Sequence, residues 1–489
     1  MTKIIFSYLI LCFLVFSQLK HTPAGLVQDN VHKYFQTMDY VQSGGEDFSI
    51  HNHDYKLDPK NQFGIFSVPF AYLIQNKIYM TFPWLWVYLN APVLKLFGFF
   101  GIYFIAGMAG LLSIFSLKSL LSHFTENLSL IRNTLYFYIF CSSLVIYSVW
   151  FYEGTLCSLC LFWFLDSELK RKTEDSYVHS ALKSSVSLIL LSILVLLRTE
   201  VFFLAVLIYF AAIFDSFSNL KKKLGYLVFY VMVPGFVFLY SNHLIWNNPQ
   251  GLRFLATHSF TFYERLGRVF EYFFFEKYCM LFYLPTFFLT FFLFKDVKNL
   301  RKEIFFRVYL ACLVFMVVIP LVSPQQQGSD IMPRFYFPIV PLLAFFVFYT
   351  IDRYIPDRKK LIHSFVFLQS GIYLAITMIV LIFTSKRMDR VYREISPYIG
   401  ETNAVSNEFI GHLVQNAEIR NVYQGEGQFQ LKRMTKLLSQ NGKTSFHLFI
   451  WEPSYYEYYH KYLNANYEKI AKVEDIYIYR YKGNATNRK

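Results

Sequence analysis

Two carboxylates and two guanidiniums stand at the ends or breaks of apolar runs in this 489-residue chain, and a third carboxylate lies in the first polar loop. Asp29 follows the first run, Asp58 lies further along the same loop, and Glu153 sits within Trp150-Phe151-Tyr152-Glu153-Gly154. Arg198 interrupts the apolar stretch 184–217, and Arg334 opens Arg334-Phe335-Tyr336-Phe337-Pro338. An ionised side chain at a membrane boundary is costly unless water, a partner or a ligand compensates it. A carboxylate so placed is a candidate for taking a proton, and a guanidinium for holding an anion through paired hydrogen bonds.

The same residues have plainer readings. Asp29 could be a solvated loop residue, and Asp58, in Leu57-Asp58-Pro59, a turn former. Glu153 and Arg198 could bridge two helices as an ion pair, and Arg334 could anchor a helix at headgroup level. Cys157 and Cys160 form a CxxC, but on a helix that spacing only places two small residues on one face, with no partner Cys or His to complete a metal site. All six cysteines (Cys12, Cys141, Cys157, Cys160, Cys279, Cys312) fall in apolar runs, so no disulfide framework is expected in the outer loops.

The elements that must position these groups are membrane helices. The chain is 55% hydrophobic and 20% aromatic with 16% charged residues, which makes lipid the expected solvent. Runs near spanning length recur over 4–19, 100–117, 133–151, 154–166, 184–197, 201–217, 225–244, 278–294, 307–323, 334–351 and 364–384, about 11 spans in all. Reading 184–217 as two short crossings broken at Arg198-Thr199-Glu200 keeps every later basic cluster on one side. The expected fold is an all-α polytopic membrane domain over 1–384, with a large first outer loop at 20–99. A small soluble α/β domain over 385–489 follows, in which 445–451 and 474–481 read as strands and 427–440 as a helix stopped by Gly442.

The net charge of +14 reports topology, not nucleic acid. Segments 118–132, 166–183, 218–224, 295–307 and 352–361 hold 18 Lys and Arg, whereas loop 20–83 holds five Lys against six Asp and Glu. The positive-inside rule makes the basic segments cytoplasmic, with the N-terminus inside and the C-terminal domain outside. A multi-pass protein of the bacterial inner membrane is the expectation. The first run reads as an uncleaved anchor. Within the first loop, Pro83–Phe97 reads as an amphipathic helix in the interface, with Trp84, Trp86, Tyr88 and Lys95 at headgroup depth. A second outer loop, 245–277, is aromatic and mildly charged.

The chain resembles the polytopic glycosyltransferases of the GT-C superfamily, especially the protein mannosyltransferase and aminoarabinose transferase branch. The resemblance rests on Asp29-Asn30, Lys33-Tyr34 and Gly44 after the first helix, on Trp86–Gly98 before the second, and on Arg334-Phe335-Tyr336-Phe337-Pro338-Ile339-Val340-Pro341. It covers roughly residues 1–350 in order and topology. Asn30 departs from the Glu that often follows the Asp in that family, and Glu153 resembles an acid that some members carry at the start of the fourth helix.

That resemblance implies an inverting transfer of a sugar from a polyprenyl-phosphate donor to an extracytoplasmic glycan, lipid or protein acceptor. Asp29 then takes the acceptor hydroxyl's proton, with Glu153 as the second acid. Arg334 stabilises the growing phosphate charge, with Arg198, Lys33, Tyr34 and Asp58 as further substrate contacts. Membrane lipid is a partner. No cofactor is implied beyond the lipid-phosphate sugar, and a divalent metal is left open. A transporter or flippase of lipid-linked glycans is the rival reading, although transporters favour polar residues near the bilayer midplane and repeated halves, and here charges favour helix ends. A non-catalytic relative is the third.

Overall fold

The computed structural model describes residues 1–26, 29–50, 56–66, 70–172, 177–213, 220–252, 261–275, 283–322, 334–414, 421–451 and 462–483. Cys279, residues 253–260 of the aromatic loop, and the side chains of Arg171, Lys172, Lys221, Lys222, Lys223 and Arg334 lie outside the described residues. The chain divides into two compact units, one of Met1–Gln18, Pro83–Leu89 and Gly101–Leu381, the other of Leu19–Phe82, Asn90–Phe100 and Ile382–Lys489.

The first unit is helical. Its helices are α1 (Thr2–Gln18), the start of α3 (Trp84–Phe97), α4 (Phe104–Ser122), α5 (Leu128–Phe140), α6 (Leu144–Ser148), α7 (Gly154–Lys172), α8 (Tyr177–Leu197), α9 (Thr199–Ile213), α10 (Leu220–Trp246), α11 (Phe262–Phe270), α12 (Ile304–Val322), α13 (Val340–Tyr354) and most of α14 (Lys359–Ile395). Four described helical stretches, Trp84–Ser122, Leu224–Trp246, Ile304–Val322 and Pro356–Tyr398, are long and apolar enough to cross a membrane, and Thr2–Gln18, Ser184–Leu197 and Thr199–Ala212 are shorter apolar helices. The chain is an integral membrane protein. Helix α7 is its central post, packing on α4, α8 and α9.

Three features differ from the sequence reading. The run 133–151 is not one helix but α5 and α6, broken at Cys141–Ser143. Ser142 donates to the Tyr138 carbonyl and accepts from the Leu144 N–H, so the side chain competes with the helical ladder. Tyr283 donates to the Cys141 carbonyl that the break frees. The run 278–294 has its described part in a 3-10 helix, Pro285–Asp296. Trp86 faces protein instead of lipid: it is fully buried, its ring 5.6 Å from that of Phe151. Trp86, Val87, Asn90, Ala91 and Leu94 make one buried stripe of α3 while Tyr88, Leu96 and Phe97 are exposed, so the helix is apolar on both faces.

The second unit joins the first loop to the C-terminal segment. It contains α2 (Asp29–Gln42), a small antiparallel sheet of β1 (Ser49–Ile50), β3 (Lys77–Met80) and β2 (Ala71–Ile74), and a five-stranded sheet. That larger sheet runs β5 (Asn421–Gln424), β4 (Thr402–Val405), β6 (His447–Trp451), β8 (Ile476–Tyr481), β7 (Tyr467–Val473), parallel through the first three and antiparallel thereafter. Helices α15 (Glu408–Val414) and α16 (Gly427–Gln440) connect the parallel strands. The first loop completes this sheet. Gly64 bridges Tyr423, the Gln424 N–H donates to the Phe63 carbonyl at 2.6 Å, and Leu57 and Phe63 join the core of Leu431, Met434, Phe446 and Leu448. An edge strand left bare would invite foreign pairing, and here the chain covers its own edge.

Candidate functional site

The candidate residues fall into two clusters, one in each unit. In the second unit Asp29 opens α2 and is half-buried. The partial positive charge of a helix N-terminus favours the ionised carboxylate there. Four residues on, Lys33 shares that face, almost wholly buried, with its Nζ 5.6 Å from the centre of the Phe82 ring. Tyr34 is buried edge-on to Phe99 at 5.3 Å. The helix is unusual in composition: Asn30, His32, Lys33, Gln36, Thr37 and Asp39 are all buried. A surface helix would turn such residues to water, and burying them costs free energy unless each finds a partner or a ligand.

Asp58 behaves as the turn reading expects. Its two carboxylate oxygens accept the backbone N–H groups of Gln62 at 2.9 Å and Phe63 at 2.7 Å, which sets the bend that delivers Phe63 and Gly64 to β5.

In the first unit Glu153, at the start of α7, and Arg198, between α8 and α9, meet directly. One Glu153 oxygen accepts from Arg198 Nε at 3.1 Å and Nη2 at 2.9 Å, while Glu200 accepts from Nη1 at 2.8 Å. Their side chains are 1%, 4% and 13% exposed for Glu153, Arg198 and Glu200. The guanidinium lies over the Tyr152 ring at 4.8 Å and near that of Phe335 at 5.9 Å. Gly154 makes room for this: a Cβ there would sit 2.5 Å from the Tyr152 ring. Arg334 begins the short 3-10 turn Arg334–Tyr336, so its backbone adjoins the Phe335 that reaches Arg198. Tyr336 donates to the Met316 carbonyl at 2.7 Å, and Phe337 packs edge-on against Tyr147 at 4.9 Å. Glu153, Arg198 and the Arg334–Pro341 segment are therefore brought together. Sequence reading missed Glu200 as the third charge, although it stands two residues from Arg198 in the interruption already noted.

The described side chains of this cluster are two carboxylates and one guanidinium, together a formal charge of −1. Its own charge disfavours an anion, and Arg198 already has three of its donors engaged. Among the described residues no three His, Cys, Asp or Glu side chains converge to hold a metal ion.

Compared with known proteins, the chain matches no family model and no curated sequence. Solved structures do match. ArnT from Cupriavidus metallidurans bound to undecaprenyl phosphate is 11% identical, with a TM-score of 0.63 over 98% of this chain and 97% of that one. The same protein in the apo state gives 13% identity and a TM-score of 0.61, covering 97% of each chain. The Archaeoglobus fulgidus oligosaccharyltransferase tethered to an acceptor peptide is 11% identical, with a TM-score of 0.51 over 91% of this chain and 68% of that one.

Proposed function

We propose that this chain, which has the GT-C fold over nearly its whole length, is a membrane glycosyltransferase. It takes a sugar from a polyprenyl-phosphate carrier and delivers it, with inversion, to a hydroxyl on the outer face. The observation that carries the reading is α2: a polar helix, buried along most of its length, that begins with Asp29 and presents Lys33 one turn later. The ArnT structure that shares the fold holds undecaprenyl phosphate, which supports a lipid-phosphate donor here.

In this reading Asp29 accepts the proton of the acceptor hydroxyl as its oxygen attacks the anomeric carbon, and the bond from that carbon to the phosphate oxygen breaks. The leaving polyprenyl phosphate gains negative charge, so a cation placed at it stabilises the transition state more than the ground state. Lys33, one helical turn from Asp29, takes that role. Arg198 does not suit it, since two carboxylates already neutralise it. We assign Glu153 to holding Arg198, not to touching substrate, because its bonded oxygen faces the guanidinium in a site closed to water. Asp58 shapes the loop and Tyr34 packs it. The topology that goes with this reading is about 11 spans with the N-terminus inside and the residues after 385 outside.

Purified protein offered polyprenyl-phosphate sugars and a hydroxyl acceptor tests the proposal. Turnover is expected, with a loss of roughly 100-fold or more in kcat for Asp29→Asn. Undiminished turnover in that variant removes the proposed base. Translocation of the lipid-linked sugar across liposomes without chemistry would favour a flippase instead.

A further inference from the structure

We propose that His412, in the C-terminal α/β domain, is a positioning residue for α2, so that the domain sets the place of Asp29. The inference rests on the reading of Asp29 above, but its structural half stands without it.

A helix of 14 residues with so much polar surface does not hold itself in water or in a core. Its neighbours must hold it. The ring of His32 lies flat against Phe70 at 4.9 Å and 19°, and against Phe82 at 5.5 Å and 26°. It also meets His412, whose ring stands at 80° to its own with centroids 4.3 Å apart. His412 also stacks on Phe35 at 6.4 Å and lies 5.7 Å from Phe66. One side chain of α15 thus touches two positions of α2, three residues apart and on one face. The neighbouring Gly411 has no room for a side chain, since a Cβ there would lie 2.7 Å from Ile65. Close approach of α15 to the first loop is therefore built in. The pairing of Phe63 and Gly64 with β5 fixes the same loop to the same domain a second time.

The imidazole pair gives this contact a sign with pH. Burial, and then the neighbouring His412, push the His32 pKa well below its ordinary 6.5; Asp29 opposes the shift and Lys33 adds to it. Among the described residues the charged groups facing it are Asp29 and Lys33 from α2 and His412 from α15, with the rings of Phe66, Phe70 and Phe82 also against it. A depressed imidazole pKa means the opened state binds the proton more readily. The contact's stability is complete above about pH 6.5 and falls as pH drops toward the folded value.

Hydrogen exchange of the α2 amides in the full-length protein, corrected for intrinsic rates, tests the proposal with no substrate present. In His412→Ala, α2 is expected to lose protection by about tenfold, the size of one lost edge-on aromatic contact, while strands β4, β6 and β8 keep theirs. In the wild type, α2 protection falls below about pH 6.5, and His412→Phe restores α2 at neutral pH and makes that fall shallower, because it removes one of the neighbours that depress the His32 pKa. For turnover, His412→Ala lowers kcat with little change in KM, and His412→Phe recovers it. Unchanged α2 protection in His412→Ala, or loss throughout the sheet that His412→Phe does not repair, overturns the positioning role. A chain in which Asp29→Asn keeps full turnover loses the catalytic reading but leaves the exchange result where it stands.

Discussion

Replacing Arg198 with leucine removes the only cation between Glu153 and Glu200 among the described contacts and leaves two carboxylates facing each other where the side chains are 1% and 13% exposed. Breaking a buried ion pair by deleting one member costs about 3–5 kcal/mol, because the remaining charge has no water to return to. Glu153→Gln is far gentler. The amide oxygen still accepts from Arg198, Glu200 still neutralises it, and the cluster moves from −1 to zero, so the cost is about 1–2 kcal/mol. Membrane proteins unfold irreversibly in detergent, and the useful quantity is the lifetime at a fixed temperature. If most of the difference appears in the unfolding rate, Arg198→Leu shortens the heated lifetime by roughly 100-fold or more and Glu153→Gln by about tenfold. The assay is the monodisperse fraction remaining after timed heating. Turnover of the surviving Glu153→Gln protein should stay within about tenfold of wild type, whereas a carboxylate acting on substrate would cost about 100- to 10,000-fold. The reasoning fails if Arg198→Leu lives as long as wild type, or if Glu153→Gln is as damaging as Arg198→Leu.

Asp58→Ala strips the acceptors from the Gln62 and Phe63 N–H groups and should cost about 2–3 kcal/mol, read as faster proteolysis within 57–66 before any loss of the helical unit. Gly154→Val places side-chain atoms against the Tyr152 ring that lies under Arg198, and an overpacking cost of about 1–3 kcal/mol should shorten the heated lifetime while Gly107→Ala, whose nearest neighbour is a carbonyl at 3.5 Å, does not. Glu474 accepts from Arg387 at 2.7 Å and Arg390 at 2.5 Å; burial raises its pKa, but these arginines lower it below the ordinary 4.5. Its contribution is therefore complete above that value and fades as pH falls below it. Being largely exposed, the pair is worth at most about 1 kcal/mol, and Glu474→Gln should show a deficit at low salt that shrinks at about 1 M.

The C-terminal domain was the most legible part of the chain. Residues 427–440 form α16 between the limits read from periodicity, and Gly442, at φ +76°, lies just past its end as a residue without a Cβ can. The strands read at 445–451 and 474–481 appear as His447–Trp451 and Ile476–Tyr481 because alternation marks a sheet face directly. Inside the membrane unit hydropathy says less. It cannot distinguish a face turned to lipid from one turned to protein, which is why Trp86 read as an interfacial anchor and lies in the core. It is also blind to a serine that back-bonds its own helix, so the break at Cys141–Ser143 left no mark. The Glu153–Arg198 pair was readable as an alternative from charge and helix order. The contact of His32 with His412 had no local sign at all, since it joins segments from opposite ends of the chain.

Buried charge separates the two clusters in kind. Glu153 is answered by Arg198, Asp166 by Lys170 at 2.7 Å, and Asp389 by Arg393 at 2.8 Å, each with a short ion pair that offsets its desolvation. Asp58 is answered by backbone N–H groups. Such sites specify packing, and hydrophobic residues of equal volume could replace many of them at little cost in stability. Helix α2 follows a different logic. It gathers a lysine, an aspartate, a histidine, an asparagine, a glutamine and a threonine within ten residues, on a helix whose fold needs would be met by leucines. Polar density of that order costs stability, and what it supplies is a set of donors, acceptors and charges fixed on a rigid element beside Asp29. On the proposed reading that set meets a sugar and its phosphate, and the ring contacts of His32 with Phe66, Phe70, Phe82 and His412 hold the helix that carries it.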